Sequence, residues 1–538
     1  MARLFALLLL GFTGCSSRGF HGAAPVDGGG DGGGGRDAGI GTLVFSPCPL
    51  LTEPGKVPPS GPLTIGDAFD GRPSPIGQLL ASSNGLDAAS SAMAECATAK
   101  MPVSWSHPEG DSIDVFVKRY PAAMQPARGQ LWMLGGGPGD PGSILETLAF
   151  LIATTLPTLD LYLPDHRGTG KSTFAACSST STPAECAAAV PHLRGLTATD
   201  AARDLAALID ASRTSSQQVF VYASSYGTYW AQRYLQIRPD QPTAIVLDST
   251  IPIGDDWSTT DKTFDDTAHA VLSLCQADTT CSAKLGPDPV AKAEQALVAV
   301  DTGKCHLPAG KDLIRGNLGD LVGAAYFDRL LLPATIYRTL RCNDADRAWF
   351  EKVAAYREWW NGLHSVGYSN VVDENIVLSE LWPTNPTYAT LLAQEQTMIA
   401  IDGGPPSYAY DLVEGWPKYP RDAYHGKWPS SPAATLVMQG TLDPSTPHGD
   451  VVKRHYSGQN QYYVEVPLGG QGLTWPLGSP MTDLTAPSCG WQVVQSFLAD
   501  PTVPPDTSCI AAMAPLDFGN PPMEYMAVAG IQDLWENP

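Results

Sequence analysis

The chain has 538 residues, 43% of them hydrophobic, which suits a large α/β domain with an insertion or two domains around a sizeable core. Its 55 acidic and 33 basic residues leave a net charge of −22, and an acidic surface of that kind repels phosphate backbones, so nucleic acid is excluded as a partner. No apolar run after the N-terminus is long enough to span a bilayer, so membrane contact is expected only through the N-terminal end.

That end reads as an export signal. Arg3 supplies a positive start, "LFALLLLGF" an apolar stretch, and "FTGC" closes it at Cys15. A small residue before a cysteine here resembles the bacterial lipobox, with Phe12 where Leu is usual. Lipidation of Cys15 is therefore expected, with ordinary secretion and nearby cleavage as the other reading. "DGGGDGGGGRDAG", Asp27 to Gly39, follows as a flexible tether that cannot pack a core. Export implies an oxidising compartment. Setting Cys15 aside leaves ten cysteines, which supports five disulfides; pairing neighbours in order gives short loops throughout. Neither a CxxC pair nor HExxH occurs, so no metal is expected, and no cofactor.

From residue 112 strand and helix patterns alternate. "SIDVFVKRY", "GQLWML" and "LDLYLP" read as strands, "TATDAARDLAALIDASR" as a helix, and "QQVFVYAS" as a strand breaking into a turn. A helix over "TYWAQRYLQI" and a strand over "TAIVLDST" follow. From about 252 to 425 the alternation lapses into helical, Trp-, Tyr- and Pro-rich sequence, and two buried strands, "ATLVMQG" and "YYVEVPL", resume it. Interleaved strands and helices predict a mostly parallel sheet with helices on both faces.

The chemistry centres on "ASSYG", where a buried strand breaks into a helix at Ser225. A tight turn there lifts the Ser225 hydroxyl above the sheet, and Tyr226 N–H at the helix start faces developing negative charge. A Ser-rich strand-to-helix turn is the structural alternative. Upstream, "GGGPG", Gly135 to Gly139, lets backbone N–H groups approach a substrate oxygen, with Gly137 the natural second donor and Gly136 the fallback. In "DHRGTGKS", Asp165 and Arg167 are expected to brace the nearby loops. Asp443, in "GTLDPSTP", lies just past a strand end, where a triad acid belongs.

"GGGPGDPGS", "DHRGTGKS", "YASSYGT", "AIVLDSTIP", "RCNDA", "GTLDPSTP" and "SCGWQVVQSFLADPTVPPDTSC" occur here in that order. In this the chain resembles exported bacterial α/β-hydrolases of the proline iminopeptidase and tripeptidyl aminopeptidase type with a TAP-like C-terminal region, over roughly residues 45 to 511. The resemblance implies an α/β-hydrolase core with a mostly helical cap, and release of residues or short peptides from free peptide N-termini. It makes Ser225 the nucleophile, Asp443 the acid, and Gly137 with Tyr226 the oxyanion hole. The expected division is a leader over 1–15, a linker over 16–42, core over 43–251, cap over 252–425, core with the TAP-like region over 426–511, and a tail over 512–538.

The family's histidine sits in a "GHG" loop after the last core strand. Here that loop is "PLGGQGLT": one register puts Gln471 at the site, with both flanking glycines kept, and the other puts Leu473 there. Neither accepts a proton near neutral pH. His448 and His166 are the candidate substitutes; His425 and His455 are less well placed, and His269, His306 and His364 fall in the cap. Cap carboxylates Glu374, Glu380 and Glu395 are candidates for a substrate ammonium group. The Trp359–Trp360 pair and Trp382 are read as cap core or as walls of an apolar pocket.

Three functions follow: an aminopeptidase-like serine hydrolase with an impaired triad, an inactive relative that binds peptide or protein, and an esterase on small acyl substrates. The expected partner is a peptide or small acyl substrate. The expected location is the cell envelope as a lipoprotein, or the secreted or periplasmic space.

Overall fold

The computed structural model describes residues 40, 43–50, 52 and 93–537, except 178–180, 215, 308–313, 324–325, 365–366, 383–385, 403–414, 448, 475–487, 514 and 522–529. The leader with Cys15, nearly all of the linker, and His448 lie outside the described residues.

Nine strands form one sheet: β1 (Ser46–Pro49), β2 (Met93–Pro102), β3 (Ser112–Tyr120), β4 (Gly129–Leu134), β5 (Leu159–Pro164), β6 (Gln218–Ser224), β7 (Ala244–Asp248), β8 (Ala434–Gly440) and β9 (Gln461–Val466). Their spatial order is β1-β2-β3-β5-β4-β6-β7-β8-β9. The pairings of β1 with β2, β2 with β3 and β3 with β5 are antiparallel; from β5 through β9 every pairing is parallel. Parallel strands covered on both faces read as unbroken apolar runs, which is why β4 to β8 were legible in the sequence. Strand β2 was not: "MAECATAKMP" alternates small or sulphur-bearing residues with polar ones, and among its described side chains only Ala94, Ala97, Ala99 and Met101 are buried.

Three helices matter most to the site. One over Glu146–Ala153 (α1) follows β4, and one over Ala198–Ser212 (α2) starts at Thr197, whose side chain accepts from Asp200 N. The third, over Tyr226–Ile237 (α3), leaves β6 directly. The chain runs from β4 out to β5 on one side and then to β6 on the other, so the strand order reverses at β4. The crevice beyond the carboxyl ends of β4 and β6 is therefore where a ligand fits an open parallel sheet.

Every described segment of regular structure between β7 and β8 is helical, as expected of a cap. Its core holds Phe264, Val271, Leu297, Leu331 and Trp349, and the C-terminal tail joins it through Leu516, Phe518, Ile531, Leu534 and Trp535. Arg338, fully buried in the cap helix Leu331–Arg341, donates to the carbonyls of Leu534 at 2.7 Å, Asn537 at 2.7 Å and Asp533 at 3.1 Å, and to Asp346 Oδ1 at 3.2 Å. The described parts of the tail are thus packed structure. Leu534 is 0% exposed, so Leu534→Ala is expected to lower unfolding free energy by about 3 kcal/mol in denaturant titration. No loss would show the tail to be a loose appendage.

Five disulfides pair the ten described cysteines as neighbours in order: Cys48–Cys96, Cys177–Cys186, Cys275–Cys281, Cys305–Cys342 and Cys489–Cys509. Among the described residues no helix is long and apolar enough to cross a membrane, and no group of three or more His, Cys, Asp or Glu could hold a metal ion.

Candidate active site

Ser225 follows the last residue of β6 and precedes the first of α3, with φ 55° and ψ −128°. A non-glycine residue at that φ is uncommon and must be held by its surroundings. Its N–H donates to Asp248 O at 3.1 Å, and its carbonyl accepts from Thr228 N at 2.8 Å and Thr228 Oγ1 at 2.6 Å. Gly227 is obligatory: a methyl there would lie 2.4 Å from Leu134 O and 2.7 Å from Gly135 O, where β4 passes behind the turn. Ala223, at the position of the motif's first small residue, is fully buried within β6.

The glycine loop after β4 lies against the serine. A methyl on Gly136 would meet Ser225 Cβ at 3.2 Å and Oγ at 3.5 Å, so a larger residue there would press on the serine side chain. Gly137 has φ 98°, and a methyl on it would lie 2.2 Å from Gly139 N. Among the described residues no backbone acceptor takes the N–H of Gly136 or Gly137. Asp165 braces this loop, accepting from Gly142 N at 2.8 Å and Lys171 N at 2.7 Å. Arg167 serves a different contact, pairing with Asp204 at 2.6 Å and donating to Val103 O and Gly195 O.

Of the two residues expected at the place of the base, Gln471 is the one that reaches Ser225. Its Nε2 donates to Ser225 Oγ at 2.7 Å. Leu473, the other register, is fully buried in the core, with its carbonyl against Gly490. The loop is held from beneath by Asp248, the last residue of β7. Asp248 Oδ1 accepts from Leu473 N at 2.9 Å; Oδ2 accepts from Thr474 N at 3.1 Å, Thr474 Oγ1 at 2.8 Å and Tyr222 OH at 2.9 Å. Ser249 Oγ takes Gly472 N at 2.8 Å. Sequence reasoning assigned Asp248 no role. A carboxylate ending an all-apolar parallel strand, at the ligand-facing edge of the sheet, was the available signal.

Asp443 is buried and turned onto its own loop. Oδ1 accepts from Ser445 N and Thr446 N, both at 3.0 Å, and Oδ2 from Thr446 Oγ1 at 2.5 Å. Burial pushes its carboxyl up, opposed by those donors and by the charge of Arg329. No hydrogen bond joins Asp443 to Gln471 among the described residues.

None of the described histidine rings takes the place of a base. His166 is buried beneath α3, 4.9 Å from the Trp230 ring between centroids, with Nδ1 at Arg167 O and Nε2 3.4 Å from Tyr226 OH. Burial holds it neutral, its pKa lowered to about 4. His425 Nε2 lies at Glu380 O, His455 stacks on Trp428, and His269 faces Asp265.

Of the cap carboxylates, Glu380 is not free for a ligand. It pairs with Arg233 at 2.6 Å and accepts from Tyr229 OH at 2.6 Å and Tyr419 OH at 2.7 Å, a buried network joining cap to α3. Glu395 has its Oε2 buried without a hydrogen-bond partner among the described residues; burial raises its carboxyl, opposed by the charge of Arg315. Glu374 lies on the helix Asn370–Ile376, the cap segment that meets the glycine loop where Ser369 N donates to Gly139 O at 2.9 Å. Asp140, at the end of that loop, is close enough to Asp373 to feel its charge, as is Glu374. Burial, then the charge of Asp373, raises Asp140 to about 7 and Glu374 to about 8. A methyl on Gly136 would lie 3.8 Å from Asp140 Oδ2, so this carboxyl and Ser225 Oγ face the same small space. Trp382 is partly buried against the core cluster, and its Nε1 is buried without an acceptor among the described residues.

Residues 133–282 match the family described as the alpha/beta hydrolase fold. No curated protein matches the chain. Similar solved structures include proline iminopeptidase from Mycobacterium smegmatis, at 15% identity and TM-score 0.31, covering 69% of this chain and 89% of that one. A thermophilic esterase from Thermogutta terrifontis is similar at 13% identity and TM-score 0.31, over 69% and 90%. A laboratory-evolved variant of potato epoxide hydrolase is similar at 14% identity and TM-score 0.28, over 66% and 89%. The matched segment runs from the end of β4 to beyond β7 and contains the elbow at Ser225, and together with the sheet order it gives this chain the alpha/beta hydrolase fold.

Proposed function

We propose that the chain is an exported serine hydrolase of the aminopeptidase type that still recognises a free peptide N-terminus but turns it over slowly. The observation that carries this is the 2.7 Å hydrogen bond from Gln471 Nε2 to Ser225 Oγ. It sets an amide where a base is needed. An amide holds the hydroxyl but takes no proton from it, so the serine attacks unassisted. The elbow and glycine loop would still supply binding and oxyanion stabilisation, worth roughly 10³ to 10⁴ over water.

Recognition of the amino terminus is assigned to Asp140, whose carboxyl faces the space beside Gly136 and Ser225, together with Asp373, whose charge acts on Asp140 and on Glu374. An ammonium group needs these carboxyls ionised. With Asp140 near 7 and Glu374 near 8, affinity for a free tripeptide is expected to rise as pH is raised from 6 to 8. Asp140→Asn should weaken binding about tenfold at pH 8. Calorimetry with the free and the N-acetylated tripeptide checks this; equal affinities at all pH values would sink the assignment.

A binding-only protein draws on the same hydrogen bond. A fluorophosphonate probe separates the two readings: slow labelling of Ser225, lost in Ser225→Ala, marks a hydrolase, and none marks a binding module. A panel of aminoacyl and acyl-ester chromogenic substrates then divides peptidase from esterase. Attachment to the envelope through Cys15 belongs to the same proposal and is supported by the five disulfides, which suit an oxidising compartment.

A further inference from the structure

We infer that Arg329, delivered by the cap, is a positioning residue that seats the loop of Asp443 against the loop of Gln471. The inference rests on the reading that these loops hold the acid and base positions of the Ser225 site. Arg329 lies in the turn Tyr326–Leu330 of the cap and is 0% exposed. Its Nη2 donates to Leu442 O at 2.8 Å, its Nη1 to Leu468 O at 3.2 Å, and its Nε to Val322 O of the cap at 3.2 Å. One guanidinium therefore spans the residue before Asp443, the loop that leads to Gln471, and the cap.

The fit admits little substitution. A methyl on Gly470, the residue before Gln471, would lie 2.2 Å from Nη2. Leu468 has φ 56°, a conformation that L-residues seldom adopt and that must be held from outside. Its N–H donates to Thr441 Oγ1 at 2.8 Å and its carbonyl accepts from Arg329. The two loops also meet directly, with Leu442 N donating to Gly469 O at 2.9 Å. Only arginine offers a rigid fork that reaches two carbonyls and a third behind it while keeping its charge. That charge also favours the ionised form of Asp443 against the pull of burial.

The test uses the full chain with Arg329→Met and Arg329→Lys, each also made with Gln471→His so that labelling of Ser225 can be followed. In Arg329→Met, hydrogen exchange is expected to quicken about tenfold over 441–446 and 468–474, and to stay unchanged over β6 and α3. In the histidine background, labelling should fall about tenfold, and its acid limb should move to higher pH as Asp443 loses a stabilising charge. Arg329→Lys should return the limb but not the exchange rates. Unchanged exchange in those two segments, a rise throughout the chain, or an unmoved limb overturns the inference. If the histidine variant is never labelled, the aminopeptidase reading fails, and exchange still decides the place of Arg329.

Discussion

Gln471→His is expected to raise fluorophosphonate labelling of Ser225 by about 10²-fold or more, with aminopeptidase activity appearing alongside. Glutamine carries its amide nitrogen about as far from the backbone as histidine carries Nε2, and here that nitrogen is already 2.7 Å from Ser225 Oγ. The substitution thus changes proton affinity more than position. Loss of one triad member costs on the order of 10⁶ in kcat, so the ceiling on recovery is high. We expect only part of it, because Oδ2 of Asp443 is occupied by the Thr446 hydroxyl at 2.5 Å, and a histidine must compete for that carboxylate. The imidazole works only when neutral, so labelling should climb as pH rises through its ordinary pKa of about 6.5. Burial raises Asp443, which moves the acid limb further up. Labelling no faster than in the unaltered chain, in a protein of equal stability, would show that Ser225 lacks more than a base.

The second large effect is on stability. Asp248→Ala is expected to cost about 3 to 5 kcal/mol, read from the shift of the denaturation midpoint. The carboxylate is 0% exposed and accepts from Leu473 N, Thr474 N, Thr474 Oγ1 and Tyr222 OH; alanine leaves the two backbone N–H groups stranded, and the two hydroxyls with only each other. Asp248→Asn should also destabilise, because its NH2 must face a donor on one side. A shift below about 1 kcal/mol for both variants would mean that the base loop is held elsewhere.

How much of this was legible in the sequence depends on distance along the chain. The elbow at Ser225, the glycine loop and the strands that carry them are local patterns, and they stand where the spacing put them. The disulfides were legible because each joins a cysteine to its nearest unpaired neighbour. Between the two registers of the base loop, flanking glycines favoured Gln471, and the burial of Leu473 explains why: that residue belongs to the core. What escaped were contacts between distant segments. Glu380 reads like any cap carboxylate until Arg233, 147 residues away, is seen against it. Asp140 is an ordinary acid until the cap helix sets the charge of Asp373 against it. Arg329 is one of several cap arginines, and nothing in its neighbours reveals that it reaches two core loops.

The tail bears on how the molecule is made. The cap's core begins to form from residues near Phe264, yet it is closed by Leu534 and Trp535, and Arg338 is satisfied only when the carbonyls of 533, 534 and 537 arrive. Without residues 516–537 the cap would keep an unfinished apolar surface, and Arg338 would lack three of its acceptors. The cap is thus a discontinuous folding unit, the two parts of its core being separated along the chain by β8, β9 and the loop that carries Gln471.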